Sequence, residues 1–129
     1  MKIETKKRIE LINITDHVNE HVKESNVQQG ICVISTRHTT SSIIVNENEA
    51  GLRGDILSLL ERLVPENAGY SHDRIDDNAH AHLRAVLLGS SETLQISNSK
   101  LILGTWQSIF FAELDGPRTR TVDITVIGK

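Results

Sequence analysis

The chain has 129 residues, a formal net charge of −3 with neutral histidines, and one tryptophan, one tyrosine and two phenylalanines. This length predicts one domain over residues 1–129, with a core of aliphatic side chains. The charge argues against a nucleic-acid partner, and no segment approaches the roughly 20 apolar residues that would span a membrane. A single cysteine, Cys32, excludes an internal disulfide, and residues 1–10 are too charged for a signal peptide. Both features predict a cytoplasmic protein.

The first half of the chain mixes strands with helices. Val18 and Val22 lie at helical spacing and predict a helix that Thr15 would cap. Runs of β-branched residues after Gly30 predict strands. Further along, leucines at helical spacing predict a helix that Asn48 would cap and whose leucines would face inward. The predicted elements are a strand, a helix, two strands and a helix over residues 3–12, 15–25, 31–36, 42–45 and 48–63.

The second half is richer in strands. A polar loop over 69–77 precedes a short helix that Asp77 or Asn78 caps and Gly89 ends. Four strands are then predicted, over residues 92–96, 100–103, 107–114 and 121–127. Because strands and helices do not alternate strictly, the pattern favours an α+β fold over a doubly wound parallel sheet.

Six histidines are about twice the ordinary share for this length. His17 and His21 lie four residues apart on the first helix, where a solvated helix face is the simpler interpretation. His38 stands between two apolar runs and is followed by Thr39 and Thr40. Such a polar cluster between buried strands predicts either an internally satisfied histidine or one whose partner is a ligand, a metal or another subunit.

Three further histidines cluster around the polar loop and the helix after it. His72 lies in the loop, and His80 and His82 open the helix. Two residues apart on a helix, His80 and His82 point about 200° away from each other, so we expect only one of them to serve a site. That histidine, with His38 and His72, would form a three-histidine set with one open position, as catalytic zinc sites have.

Other segments are weaker candidates for binding. Asn46, Glu47 and Asn48 precede a helix, where they would either cap it or offer amide and carboxylate ligands. Trp106 and Gln107 follow a glycine, although a lone tryptophan is more often part of a core or an interface. Asp115-Gly116-Pro117-Arg118 predicts a rigid loop ending in an arginine, and Arg118 and Arg120 would suit a phosphate if they are not ordinary surface charges.

Taken together and in this order, these segments resemble the YjbQ-like family, also labelled secondary thiamine-phosphate synthase. The resemblance is carried by His38-Thr39-Thr40, Asn46-Glu47-Asn48, Tyr70-Ser71-His72, residues 78–85, 103–107 and Asp115-Gly116-Pro117-Arg118. It implies an α+β fold of mixed or antiparallel sheets, packed as a sandwich or barrel with a few helices, and a homotrimer. The position of His80 departs from the family, which commonly has Asp there.

The resemblance also implies a site and an activity. The implied metal ligands are His38, His72 and His82, with Glu47 and Arg118 as further catalytic candidates. The implied ligand-binding residues are Thr39, Thr40, Asn46, Asn48, Trp106, Gln107 and Arg118. The reaction would join a pyrimidine diphosphate to a thiazole phosphate and release pyrophosphate. A histidine site suits zinc or manganese, whereas magnesium would accompany the pyrophosphate. The alternatives are a non-catalytic trimer that binds a metal and a ligand, and a metal-dependent hydrolase of a small phosphorylated molecule.

Overall fold

The computed structural model describes residues 1–129, and its strands form two antiparallel sheets. The eight strands are β1 (Lys2–Glu4), β2 (Glu10–Asn13), β3 (Gln29–Thr36), β4 (Ser41–Glu47), β5 (Ser91–Ser97), β6 (Lys100–Leu101), β7 (Gln107–Glu113) and β8 (Thr119–Gly128). The four helices are α1 (Thr15–Ser25), α2 (Ala50–Leu63), α3 (Asp73–Asp76) and α4 (Ala79–Leu88). None of these helices combines the length and the apolar character needed to cross a membrane.

The larger sheet has the order β1-β8-β3-β5-β6, and the smaller has the order β2-β7-β4. Every neighbouring pair is antiparallel, so side chains alternate between the two faces of each sheet. The sheets curl into a half-barrel that carries the four helices. The predicted α+β class is therefore confirmed.

The main core lies between the two sheets and α1. Ile34 from the larger sheet, Phe111 from the smaller sheet and Val18 from α1 are each completely buried in it. Because aliphatic residues supply most of this core, its stability rests on area burial and close packing rather than on aromatic pairs.

A second core covers the other face of the smaller sheet. Phe110 and Ala112 of β7 pack there with Leu60 of α2 and Ala81 of α4. Strand β7 is thus covered on both faces, which explains its nearly continuous apolar run. This layering brings the start of α4 beside the end of β7, where the cavity described below lies.

The predicted first strand over 3–12 is wrong, because the chain there forms two short strands in different sheets. Strand β1 pairs with β8, whereas β2 pairs with β7. Between them, the backbone N–H groups of Lys6 and Lys7 donate to the Glu10 carboxylate at 2.7 and 2.8 Å, which closes a turn. The turn places Arg8 in the lining of the cavity described below.

Helix α2 also differs from its prediction. It begins two residues later, and the carboxylate of Glu49, not the side chain of Asn48, accepts the N–H of Leu52 at 3.1 Å. Only Leu60 of its leucines is buried, while Leu59 and Leu63 are exposed. The predicted loop over 69–77 contains the single turn α3, whose Asp73 carboxylate accepts the first N–H of α4 at 3.0 Å.

Candidate functional site

An open polar cavity of about 800 Å³ lies where α4, the β3–β4 turn and the β7–β8 loop meet. None of its lining residues is hydrophobic. They are Arg8, Arg37, His38, Thr39, Thr40, Asp76, Asp77, Asn78, His82, Asp115, Gly116, Arg118 and Arg120. Four arginines and three aspartates in one concave surface indicate a site for a charged, hydrophilic molecule.

The β7–β8 loop is held in place by hydrogen bonds at Asp115. Arg118 donates from Nε to the Asp115 carbonyl at 2.7 Å and from Nη2 to its carboxylate at 2.8 Å, while Asn78 Nδ2 donates to the same carboxylate at 2.9 Å. Burial alone would raise the pKa of Asp115, but the Asn78 hydrogen bond and the Arg118 charge bring it below its ordinary value. The carboxylate therefore stays ionised and ties α4 to the loop.

Gly116 is required in this loop by close approach. A Cβ atom at this position would collide with the Lys7 carbonyl and lie 2.9 Å from Thr5 Oγ1. The N–H of Gly116 also donates to the Arg8 carbonyl at 2.9 Å. The loop and the β1–β2 turn thus lie against each other, which places Arg8 and Arg118 on the same cavity.

A buried ion pair lies under the cavity. The Glu113 carboxylate is completely buried and accepts from Arg120 Nε at 2.8 Å and from Thr5 Oγ1 at 2.7 Å. Arg120 Nη2 also donates to the hydroxyl and the carbonyl of Thr40, at 2.9 and 3.2 Å. Arg120 is therefore occupied in holding the cavity together, so the prediction that it clamps a phosphate does not fit its position.

His38 lies on the cavity wall with one ring nitrogen already used. The backbone N–H of Thr121 donates to His38 Nε2 at 3.0 Å, so the ring proton belongs on Nδ1. Burial and the charge of Arg120 lower the pKa of His38, which keeps the ring neutral. Neither nitrogen then offers a free lone pair, and His38 does not fit the predicted role of metal ligand in this arrangement.

His72 and His82 lie next to each other. Their rings meet edge to face with centroids 4.7 Å apart, and the buried His72 Nε2 has no hydrogen-bond partner in the chain. No three side chains of His, Cys, Asp or Glu converge closely enough to hold a metal ion. One chain thus brings together two of the three predicted histidine ligands but does not assemble the three-histidine set.

Five other predicted site residues lie elsewhere in this chain. Ser41 pairs with Glu113 at the cavity end of the smaller sheet, whereas Glu47 pairs with Gln107 at the opposite end. Six residues of strand separate the two ends by about 20 Å. Asn46, Glu47, Asn48, Trp106 and Gln107 all belong to the far end, so within one chain they do not share the cavity.

The remaining histidines are divided between the surface and a second cavity. His17 and His21 are exposed on α1, as the simpler interpretation of their spacing predicts. His80 is almost completely buried and lines a separate cavity of about 430 Å³ with Arg84 and Glu66. Its separation from His82 follows the expected divergence of residues two apart on a helix.

Sequence reasoning did not single out several cavity residues. Arg8 and Arg37 lie in turns, and their charges carry no periodic signal. Asp76 and Asp77 belong to the polar segment before α4, where the run of two aspartates and Asn78 was the available clue. Glu113 had a clearer signal, since a carboxylate in an otherwise apolar strand requires a buried partner.

The fold and the cavity define a class of small α+β proteins with a curled two-sheet core and a polar site at one end of it. The family model described as UPF0047 protein YjbQ-like matches residues 1–129, and the chain belongs to this family. The UPF0047 protein of Methanothermobacter thermautotrophicus is 51% identical over 129 residues, covering 100% of this chain and 90% of its own. The UPF0047 protein YugU of Bacillus subtilis is 36% identical, with 99% and 97% of the two chains covered.

Solved structures share the architecture. A YbjQ-like protein of Sulfolobus solfataricus P2 superimposes with a TM-score of 0.98 at 41% identity, covering 100% of this chain and 94% of its own. A YjbQ/UPF0047 protein of Clostridium acetobutylicum gives a TM-score of 0.95 at 41% identity, with 98% of each chain covered. The resemblance identified from the sequence motifs is therefore confirmed at the level of the family and the fold.

Proposed function

We propose that this protein binds a phosphorylated small molecule in the polar cavity. The observation that carries the proposal is the convergence of Arg8, Arg37 and Arg118 from three different turns onto one concave surface. Guanidinium groups bind phosphate oxygens through paired, charge-assisted hydrogen bonds, and three of them suit a phosphate or a pyrophosphate.

The ion pairs of these arginines do not prevent phosphate binding. Arg8 pairs with Glu66 at 2.6 Å, Arg37 with Asp123 at 2.7 Å and Arg118 with Asp115 at 2.8 Å. At least half of each arginine side chain is exposed, and the exposed pairs of Arg8 and Arg37 contribute only about 0–1 kcal/mol. Arg118 uses Nε and Nη2 on the less exposed Asp115, which leaves its Nη1 for a ligand. A phosphate dianion therefore competes well with a single carboxylate for each guanidinium.

Three uses of such a site are proposed for testing. The first is the family-type condensation of a pyrimidine diphosphate with a thiazole phosphate, for which the arginines would hold the departing pyrophosphate. The second is hydrolysis of a small phosphate ester. The third is binding without turnover, as in a sensor or a carrier. The assay is thiamine phosphate formation from the two substrates with Mg²⁺ or Mn²⁺, and phosphate release from esters is measured in parallel.

A divalent metal at the histidines is also part of the proposal, with two histidine ligands instead of three. His72 and His82 would supply two nitrogens to zinc or manganese, because their rings adjoin and His72 Nε2 lacks a partner. Magnesium would enter with a pyrophosphate ligand, whose oxygens it prefers. His38 is left out of the ligand set, since its Nε2 accepts the Thr121 N–H.

A homotrimer is the proposed assembly, in the cytoplasm and without nucleic-acid or membrane partners. Leu83, Val86 and Leu87 form one face of α4 and are 41%, 78% and 60% exposed. An exposed apolar face of this kind marks a protein contact. Val86 also borders a cleft together with His38 and His82, so a neighbouring subunit on this face would adjoin the site.

The binding proposal is tested by calorimetric titration with inorganic pyrophosphate. Arg118→Ala removes a charge-assisted contact of roughly 1.5–3 kcal/mol and should weaken binding by about ten- to a hundredfold. Arg62→Ala is the matched control, because Arg62 is exposed on α2 and does not line the cavity. Equal affinities in the two variants, or no binding by the unmodified protein, would contradict the proposal.

A further inference from the structure

The smaller cavity, of about 430 Å³, is lined by a buried arginine that has no counter-charge. Arg84 of α4 is 5% exposed and borders this cavity together with the residues that follow α2. No carboxylate oxygen lies within 4.0 Å of its guanidinium group, whereas the other buried arginine, Arg120, is paired with Glu113. Because a buried charge without a partner is strongly unfavourable, Arg84 requires an anion from outside the chain.

Part of the Arg84 side chain has a structural role that does not meet this requirement. Its Nε and Nη2 groups both donate to the carbonyl of Val64 at the end of α2, at 3.1 and 2.9 Å. A carbonyl at the end of a helix carries only a partial negative charge. Burial accordingly lowers the pKa of Arg84, and the more distant carboxylates of Glu61 and Glu66 offset this only in part. The remaining Nη1 group makes no hydrogen bond within the chain and keeps accessible surface, so a ligand in the cavity can reach it.

His80 provides a second donor beside Arg84. The two residues are four apart on α4, which puts them on one face of the helix, and both line the cavity. His80 is 2% exposed, and its Nδ1 is sealed inside the protein without a partner, whereas its Nε2 keeps accessible surface. Glu66 Oε1 lies 4.0 Å from Nε2, which is too far for a hydrogen bond but favours the ring proton on Nε2. An N–H of the imidazole and an N–H of the guanidinium are thus both available to one ligand.

The rest of the lining suits a short aliphatic chain and a single negative charge. Ile9 and Leu114 are the hydrophobic residues of the cavity. Of its two carboxylates, Glu66 is paired with Arg8 at 2.6 Å, and Glu61 is exposed to solvent, which screens its charge. The volume lies within the range of cavities that hold small ligands. One unpaired guanidinium group neutralises a monoanion, whereas a phosphate dianion would bring an uncompensated charge into a partly apolar cavity.

We propose that the smaller cavity is a second ligand site, which binds a small monocarboxylate with a short aliphatic chain. The carboxylate accepts hydrogen bonds from Arg84 Nη1 and His80 Nε2, and the chain contacts Ile9 and Leu114. The site is separate from the phosphate-binding cavity and does not depend on the function proposed for it, although Arg8 borders both cavities.

NMR titration of the full, isotope-labelled chain with butyrate and butyramide tests the site, because ligands this small bind only at about millimolar concentration. The two compounds have nearly the same shape, but only butyrate is charged. Butyrate should shift the amide signals at the start of α4 and at the end of α2. It should also bind about tenfold or more tightly than butyramide, because its hydrogen bonds are charge-assisted. Equal affinities, or no shifts with butyrate, would overturn the inference.

Substitution of His80 provides a second readout. His80→Asp places a carboxylate four residues before Arg84 and so supplies the missing counter-charge from within the chain. The variant should bind butyrate at least about tenfold more weakly, and its thermal unfolding temperature without ligand should rise. His17→Asp, the same change at an exposed position of α1, should leave the butyrate affinity unaltered. Full butyrate affinity in His80→Asp, or a lower unfolding temperature, would contradict the inference.

A third variant separates this site from the polar cavity, whose arginines would also attract a carboxylate. Arg118→Ala should leave the butyrate affinity unaltered, because Arg118 does not line the smaller cavity. Loss of butyrate binding in Arg118→Ala would place the carboxylate in the polar cavity and overturn the inference. If butyrate binds as expected but pyrophosphate does not bind, the proposed phosphate-binding function fails and the second site stands.

Discussion

Removing one partner from the buried pair of Glu113 and Arg120 should cause the largest loss of stability of any single charge substitution in the fold. We predict that Glu113→Gln lowers the free energy of unfolding by about 3–5 kcal/mol, the usual cost of removing one partner from a buried pair. The carboxylate accepts from Thr5, Arg120 and the N–H of Asp115. An amide in its place would turn one acceptor into a donor and leave Arg120 buried without a counter-charge.

Urea unfolding followed by circular dichroism measures the effect. With a slope of about 2 kcal/mol per molar urea, the midpoint should fall by roughly 2 M. Asp123→Asn breaks the exposed pair with Arg37 and should cost only about 0–1 kcal/mol. Protein concentration must be constant across variants, because assembly would couple to unfolding. Similar midpoints for Glu113→Gln and Asp123→Asn would refute the reasoning.

The pH dependence of stability provides an independent check. Burial would raise the pKa of Glu113, but hydrogen bonds from Arg120, Thr5 and the Asp115 N–H hold it below its ordinary value. The unfolded chain therefore binds a proton more readily than the folded chain. Stability from this group is present above the ordinary glutamate pKa and is lost as the pH falls through the folded value. Glu113→Gln should accordingly show a shallower loss of stability in acid.

Three further outcomes are expected. Light scattering coupled to size exclusion should give close to three times 14.4 kDa, and Val86→Asp should shift the protein toward the monomer. Elemental analysis of untagged protein should show a divalent metal that falls sharply in His82→Ala and is unchanged in His17→Ala; equal contents would exclude the His72–His82 pair. Burial lowers the pKa of His80, so its contribution to stability should be complete above the ordinary histidine pKa and decline in acid below it, a decline absent in His80→Gln.

Much of the fold could be predicted because its strongest elements are periodic or strongly apolar. The ends of strand β7 were predicted within one residue. Its nearly continuous run of apolar residues is typical of a strand that is covered on both faces by packed layers. Helix α1 was predicted within one residue from Val18 and Val22, although Ile14 and not Thr15 occupies the cap position. The break between β1 and β2 was missed, because side-chain composition does not reveal that the chain leaves one sheet for another at Lys6 and Lys7.

The site could be predicted only in part. His38 and Arg118 were named from local pattern and His82 from the family resemblance, and the structure brings them to one cavity. Glu47 and Gln107 were grouped with them because the order of motifs along the chain does not give distances in space. The antiparallel register of β4 and β7 places these two residues at the far end of the smaller sheet. Only tertiary structure could supply these separations.

The ion pair beneath the cavity explains how an open polar site keeps its shape without apolar walls. Arg120 holds Thr40 on the β3–β4 turn, and Glu113 holds the N–H of Asp115 on the β7–β8 loop. A well-packed apolar pair would stabilise the fold as well or better, but it would make none of these hydrogen bonds. The directional contacts of the charged pair therefore fix the two segments that carry His38 and Arg118, so that a ligand meets groups already in position.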